Sequence, residues 1–260
     1  MLGVSPSTLR SWERRHGYPR PRRTPGNHRL YELTELEALR DALDETGSIS
    51  SAIEMARRRG RVAGSAARLV TAFDRFDEAA ADREMEETLA LRSVERAVEE
   101  LMLPALEASA DRPSRPAEFD HACRWATGWL HRARALAPAA WRPEGVLVLE
   151  GDPGPNLDSV HTQALELALR RVGLRVLVLS SELVSERIGP ATAALRPGAL
   201  VISGASPNAD LRRVALESLI RAPGSGRLYA YRVDPRAARD VAELVSSPVS
   251  AAAALLQDLA

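Results

Sequence analysis

Between Arg10 and Arg29 the chain carries seven arginines against one acid, Glu13, in a stretch punctuated by Gly17, Pro19, Pro21, Pro25 and Gly26. Such a segment cannot bury itself, because unpaired guanidinium groups are too costly to desolvate. It must be a charged surface of a small module. The remainder holds 28 basic and 34 acidic residues, so one compact positive patch sits on a slightly acidic body although the whole chain is neutral. That is the electrostatic footprint of a DNA-binding head.

The local grammar of this head is readable. Ser5 is a helix N-cap and Pro6 suits the first turn, where its missing N–H costs nothing. Leu9 and Trp12 form an apolar stripe at helical spacing, and Gly17-Tyr18-Pro19 stops the helix. Gly26-Asn27 turns a short hairpin before His28-Arg29-Leu30-Tyr31. A second helix opens with the capping box Thr34…Glu37 and shows Leu36, Leu39 and Leu43. A third begins near Ser50, packs through Ile49, Ala52, Ile53 and Ala56, and ends at Arg57-Arg58-Arg59-Gly60. Helix, arginine-rich hairpin and two further helices predict a winged helix-turn-helix over residues 1–60.

The run Gly3-Val4-Ser5-Pro6-Ser7-Thr8-Leu9-Arg10-Ser11-Trp12-Glu13-Arg14-Arg15-His16-Gly17, followed by Arg-Pro-x-Arg and His28-Arg29-Leu30-Tyr31, resembles the N-terminal domain of MerR-family regulators. The resemblance implies that the helix with Ser7, Thr8 and Arg10 enters the major groove of double-stranded DNA and that Arg29 of the wing grips phosphate. Arg14, Arg15, Arg20, Arg23, His28 and Tyr31 complete the expected interface. The chemistry agrees, since arginine pairs bidentately with guanine or phosphate and hydroxyls reach phosphates or base edges. The family has a strand and a helix ahead of Gly3, where this sequence has only Met1 and Leu2, so the resemblance implies a further segment upstream.

Residues 64–138 predict a helical bundle. Leu69, Val70, Phe73 and Phe76 share one face, Val94, Val98, Leu101 and Ala105 another, and Pro104 is expected to kink its helix. After the loop Asp111–Pro116, a last helix carries Phe119, Ala122, Trp125, Ala126, Trp129, Leu130 and Ala133. Residues 143–260 alternate strand and helix. Apolar runs at 146–149, 176–179 and 200–202, a fourth strand at 228–231, and helices at 157–172 and 208–221 predict a doubly wound parallel α/β domain. A ligand is expected at the carboxyl ends of its strands.

Behind a MerR-like head, this order of bundle and α/β domain is similar to the light-responsive, adenosylcobalamin-dependent repressors of the CarH/LitR type. That resemblance implies an acid-x-His-x-x-Gly loop after the first strand, whose histidine is the lower cobalt ligand. Alignment on Leu165–Gly173 puts Asn156 at the acid, Asp158 at the histidine and His161 at the glycine. Ser203 falls on the serine of that family, and Tyr229-Ala230-Tyr231 replaces the Gly-Gly under the nucleotide tail. In the bundle, Ser114 takes the place of a tryptophan, and Arg124-Trp125 that of a Glu-His pair over the upper face. A carboxylate is a poor substitute for imidazole on cobalt. Asp158, His161, Ser203 and Trp125 are therefore degenerate cofactor positions, and the expectation is a scaffold without cobalamin, used for oligomerisation or another small ligand. Adenosylcobalamin dependence is the alternative.

Other chemistry is not expected. Cys123 is a lone cysteine, so no intrachain disulfide or multi-cysteine zinc site can form. His121, Cys123 and His131 share one helix, but His121 and Cys123 are two apart and face different sides. No nucleophile elbow surrounds Ser203, so an α/β-class enzyme is a remote reading. No apolar run is long enough to span a bilayer, and no signal peptide precedes the head, which points to a cytoplasmic protein without a membrane partner. A head of this size covers one half-site, so a homodimer or larger oligomer on a pseudo-palindromic operator is expected.

Overall fold

The computed structural model describes residues 6–19, 21–23, 29–31, 36, 39–40, 42–43, 46–62, 64–151, 154–180, 188–204, 226–233 and 241–259. The chain divides into two compact units: residues 1–64 with 86–91, and residues 65–85 with 92–260.

The first unit opens with helix α1 (Pro6–His16). It stops at Gly17, whose φ of +62° is the left-handed conformation that only glycine takes at little cost, while its N–H closes on the Glu13 carbonyl at 2.7 Å. Strands β1 (Arg22–Arg23) and β2 (Arg29–Leu30) pair antiparallel, Arg22 opposite Leu30 and Arg23 opposite Arg29. The turn expected at Gly26-Asn27 lies outside the described residues, as do Ser5 and the Thr34…Glu37 box. Leu39, Ala42 and Leu43 are helical, and α2 (Ile49–Val62) continues two residues beyond the predicted stop at Gly60. Tyr18, Leu39, Ala42, Ala52, Ile53 and Ala56 form the core of the unit, with Trp12 packed against it from α1.

In the second unit, α3 (Ala66–Asp74) buries Leu69, Ala72 and Phe73. Helix α4 spans Glu78–Leu89. A long helical stretch follows as α5 (Val94–Ala97), a π segment (Val98–Met102) and α6 (Leu103–Ala110). The kink expected at Pro104 is thus a π segment immediately before it. Proline cannot donate to the carbonyl four residues back, and the preceding N–H, that of Leu103, reaches back five residues to Val98. The loop at 111–116 is pinned by Arg112 and Arg115 on the Asp74 carboxylate, at 2.7 and 3.0 Å. Helix α7 (Pro116–Ala135) then buries Ala122, Cys123, Trp125, Ala126 and Leu130.

The sheet follows: β3 (Gly145–Glu150), α8 (Leu157–Arg171), β4 (Arg175–Ser180), α9 (Ile188–Leu195), β5 (Pro197–Ser203), β6 (Arg227–Tyr231), β7 (Ala242–Leu244) and α10 (Pro248–Leu259). All strands are parallel, in the order β4-β3-β5-β6-β7. Alternate residues of β3 serve opposite faces: Val146 and Val148 pack with α8 and α10, while Leu147 and Leu149 pack with Leu195 of α9. The predicted helix at 208–221 lies outside the described residues, and β7 was not legible in the sequence. Glu166, 3% exposed, is stabilised in the interior by Arg170 at 2.8 Å and by Arg134 of α7 at 3.3 Å.

The linker ahead of β3 is held at Gly173. The Gly173 carbonyl accepts from the N–H groups of Trp141 (3.2 Å) and Arg142 (3.0 Å). Its φ is +90°, and a Cβ there would lie 2.2 Å from the Trp141 ring. We expect Gly173→Ala to lower stability by at least the ~1–2 kcal/mol of a left-handed residue, with displacement of the Trp141 ring added. Gly189→Ala, where a Cβ meets nothing within 4 Å, serves as the control and should cost nothing. Equal urea midpoints for the two variants would contradict the packing described.

Candidate functional site

On α1, Ser7, Arg10 and Arg14 recur at spacings of three and four and are exposed, with Arg15 beside them. The other face carries Trp12 into the core. The expected DNA-contacting residues of α1 thus form one accessible stripe, with Thr8 half-buried at its edge. Arg23 lies in β1, directly opposite Arg29 in β2, and Tyr31 follows as a half-buried residue. Arg20 and His28 lie outside the described residues.

Glu13 joins the helix to the hairpin. Its carboxylate accepts from Arg29 Nε at 3.0 Å and from the Tyr31 hydroxyl at 2.9 Å. Desolvation first, and then the Glu13 hydrogen bond, push the Tyr31 hydroxyl above the usual tyrosine range, so it stays a donor. Arg29, with a side chain 37% exposed, is therefore aimed by Glu13 rather than waving in solvent. The sequence singled out Arg29 and Tyr31 but passed over Glu13. The signal was present, since Glu13 is the one acid in the arginine-rich stretch.

A second region lies at the carboxyl end of the sheet. β3 is an interior strand, and its neighbours β4 and β5 diverge on either side, the topological switch point where open α/β sheets bind ligands. Asn156 caps α8, accepting from the Ser159 N–H at 2.8 Å. Asp158 accepts from Arg232 Nε at 3.0 Å. Ser203 shares a 2.6 Å hydrogen bond with Thr162. Tyr229 and Tyr231 are buried in the sheet and donate to Asp258 (2.8 Å) and to the Ser246 carbonyl (2.9 Å).

His161 is only 2% exposed, one turn deep in α8. Its Nε2 lies 3.2 Å from the Glu107 carboxylate of α6, yet neither ring nitrogen has a partner in hydrogen-bonding geometry. Burial, and then the Arg232 charge, hold the imidazole down at about 3 against the opposing pull of Asp158. A neutral ring beside Glu107 is a contact and not an ion pair.

These placements do not fit a corrinoid. Asp158, which the resemblance sets at the ligand histidine, is an ion-paired carboxylate, and His161 is enclosed by Glu107, Asp158 and Arg232. Trp125, which the resemblance sets at one of the degenerate positions, lies inside the bundle. Its indole N–H donates to Asp82 at 3.1 Å and its ring packs 5.3 Å from that of Phe73 inside the bundle. Arg124, Thr127 and Gly128 of α7 border a cavity of about 500 Å³ shared with Glu150 at the carboxyl end of β3. The sequence pointed to the carboxyl ends of the strands but not to these lining residues, because they come from three separate elements.

The remaining candidates are structural. Burial, and then Asp120, push the Cys123 thiol up to about 12, so it is inert. His121 packs against Phe76 with ring centroids 5.2 Å apart, and His131 is exposed. Among the described residues, no group of three His, Cys, Asp or Glu is placed to hold a metal ion, and no helix is long and apolar enough to cross a membrane.

Comparison with known proteins bears on both regions. Residues 1–31 match the family described as MerR family regulatory protein. The chain is homologous to two HTH-type transcriptional repressors of Myxococcus xanthus. CarA is 28% identical over 219 residues, covering 78% of this chain and 73% of that protein. CarH is 29% identical over 231 residues, covering 76% and 73%. The HTH-type transcriptional regulator MlrA of Escherichia coli is 42% identical over 41 residues, 16% of this chain and 17% of its own. Among solved structures, a cobalamin-binding protein from Desulfitobacterium hafniense matches at a TM-score of 0.39 and 13% identity, over 75% of this chain and 98% of its own.

Two outcomes follow from the geometry. Glu13→Ala releases Arg29 and Tyr31 while leaving the positive charge in place. Its affinity for operator DNA should fall several-fold while its affinity for random-sequence DNA holds or rises, as read by fluorescence anisotropy. Equal losses on both DNAs would remove Glu13 from its positioning role. His161 is neutral in the folded state, whereas the unfolded histidine takes up a proton below pH ~6.5. Stability should therefore decline as pH falls from 6.5 toward 3, by at most about 1.4 kcal/mol per pH unit from this group, and level off below. His161→Gln should flatten that limb of the urea stability profile; an unchanged acid limb would show that the ring is not held neutral.

Proposed function

We propose that this chain, whose N-terminal segment is that of MerR-family regulatory proteins, is a transcriptional regulator that reads an operator half-site through α1 and clamps phosphate with the arginine hairpin. The observation that carries the reading is the accessible stripe Ser7–Arg10–Arg14 on a helix tied by Glu13 to Arg29 and Tyr31. Arg10 and the hydroxyls of Ser7 and Thr8 face base edges. Arg14, Arg15, Arg20, Arg23, His28 and Arg29 meet the backbone, where they set register and supply salt-dependent affinity. A single head spans one half-site, so the acting species is a dimer or larger oligomer on a pseudo-palindrome. No catalytic role is assigned to Ser203, whose hydroxyl is bonded to that of Thr162.

The C-terminal module works without cobalamin in this reading, as a sensor for another small ligand or as an oligomerisation scaffold. The supporting observations are the Asp158–Arg232 pair, the enclosed His161, and Tyr231 filling sheet space. Adenosylcobalamin dependence is retained as the second reading because of the resemblance in domain order.

One set of titrations tests both statements. Arg10→Ala should cost ~1–3 kcal/mol on operator DNA and little on random DNA. Arg29→Ala should weaken both alike and flatten the salt dependence. Adenosylcobalamin, dark or illuminated, should leave absorbance, oligomeric state and DNA affinity unchanged. An Arg10→Ala, Arg29→Ala double variant that binds like the parent would refute the interface. Micromolar corrinoid binding abolished by His161→Ala would restore the second reading.

A further inference from the structure

The amino edge of the sheet brings exposed apolar surface and positive charge together. Trp141 is 59% exposed, and Leu136, at the start of the same linker, is 84% exposed. Trp141 is nonetheless held in place. Its N–H donates to the Gly173 carbonyl at 3.2 Å, and a Cβ on Gly173 would lie 2.2 Å from its ring. Part of the indole is thus spent on the Gly173 backbone, and the rest is offered to solvent. An apolar anchor ordered in advance loses little entropy when a partner covers it.

Three arginines stand at this linker. Arg142 follows Trp141, and its Nε donates to the Val172 carbonyl at 3.0 Å. Arg175 opens β4 and donates to the carbonyls of Pro143 at 2.7 Å and Leu195 at 3.1 Å. Arg196 comes directly after Leu195 and is exposed. Neighbouring arginines are neutralised: Arg134 and Arg170 by Glu166, and Arg171 by Glu95. Among the described residues, Arg142, Arg175 and Arg196 form no ion pair. Carbonyls at the ends of α8 and α9 orient the first two and offset part of their charge. Glu144, the acid of the linker, does not serve them, since its Oε2 is buried without a hydrogen-bond partner. Three cations against one acid leave the edge positive.

Tryptophan and arginine are enriched where proteins meet, and a cationic rim selects an acidic partner. Duplex DNA would answer the charge but leave Trp141 uncovered, because its backbone offers no apolar surface. We propose that this edge docks an acidic segment of a partner protein, with an apolar side chain set on Trp141 and carboxylates on Arg142, Arg175 and Arg196. The contact is independent of any ligand of the module. It gives the regulator a protein partner on the unit that does not carry α1.

The test is an anisotropy titration of the full chain with a short labelled peptide in which glutamate alternates with leucine and phenylalanine. One counterpart carries lysine for glutamate, and another carries serine for the apolar residues. The first peptide should bind in the micromolar range and weaken as salt rises, and each counterpart should bind at least tenfold more weakly. Trp141→Ala should weaken the first peptide at least tenfold. Arg196→Glu should do the same at an unchanged urea midpoint, and should gain affinity for the lysine peptide. The Arg10→Ala, Arg29→Ala variant should bind the first peptide like the parent, which separates this edge from the arginines of the head. Silence at millimolar peptide, equal binding of the serine counterpart, or undiminished binding by Arg196→Glu would each overturn the proposal. Weaker binding of random-sequence duplex by Arg196→Glu would give the edge to DNA, and dissociation of a parent oligomer by the same change would give it to a second copy. Either result also overturns it.

Discussion

The second unit depends on one requirement, that β3 be covered on both faces. A strand whose four central residues, Val146 to Leu149, are all without solvent exposure cannot sit at an edge or on an open sheet. It forces parallel neighbours on both sides and helices above and below. Those neighbours arrive by crossovers running in opposite directions, which opens the crevice at the end of β3. Glu150, the first residue of the strand not fully buried, stands at that crevice. The site and the fold are thus consequences of the same burial.

The first unit is organised by charge. Its apolar core is small, and most of its side-chain chemistry is arginine. Repulsion among like charges would scatter the hairpin unless something orients it. Glu13 supplies a central acceptor, and a charge-assisted hydrogen bond to Arg29 is stronger and more directional than a neutral one. An isolated surface ion pair contributes little to stability. Here its value is geometric, because it fixes the angle between α1 and the hairpin.

Periodicity made most of the scaffold legible in the sequence. The strands at 145–150, 175–180, 197–203 and 227–231 fell where apolar runs placed them, and α8 opened at Leu157 as expected. β7 did not announce itself, because an edge strand of Ala242-Glu243-Leu244 buries too little to leave an apolar run. The exposed polar stripe of α1 was legible because its residues are contiguous in the chain. The place of the cavity, at the carboxyl ends of the strands, was legible, but its lining was not, since Thr127, Glu150 and Gln163 are uninformative residues until folding brings them together. Trp125, set by the family register at a degenerate position, packs its large apolar ring on Phe73 and places its one donor on Asp82.

The π segment ahead of Pro104 carries a consequence for how the bundle and sheet are joined. A π turn is equivalent to one residue inserted into an α-helix, and it rotates everything beyond it by about a quarter-turn or more. Upstream of Pro104, Glu95 and Glu99 reach Arg171 of α8 and Ser247 ahead of α10. Beyond it, Leu106 and Ser109 turn inward, with Ser109 bonded to the Ala105 carbonyl. One continuous rod therefore serves two partners that a regular helix could not face in phase. Deleting one residue from Val98–Met102 would restore ideal winding and put the two halves out of step, so this stretch should tolerate substitution far better than any change in length.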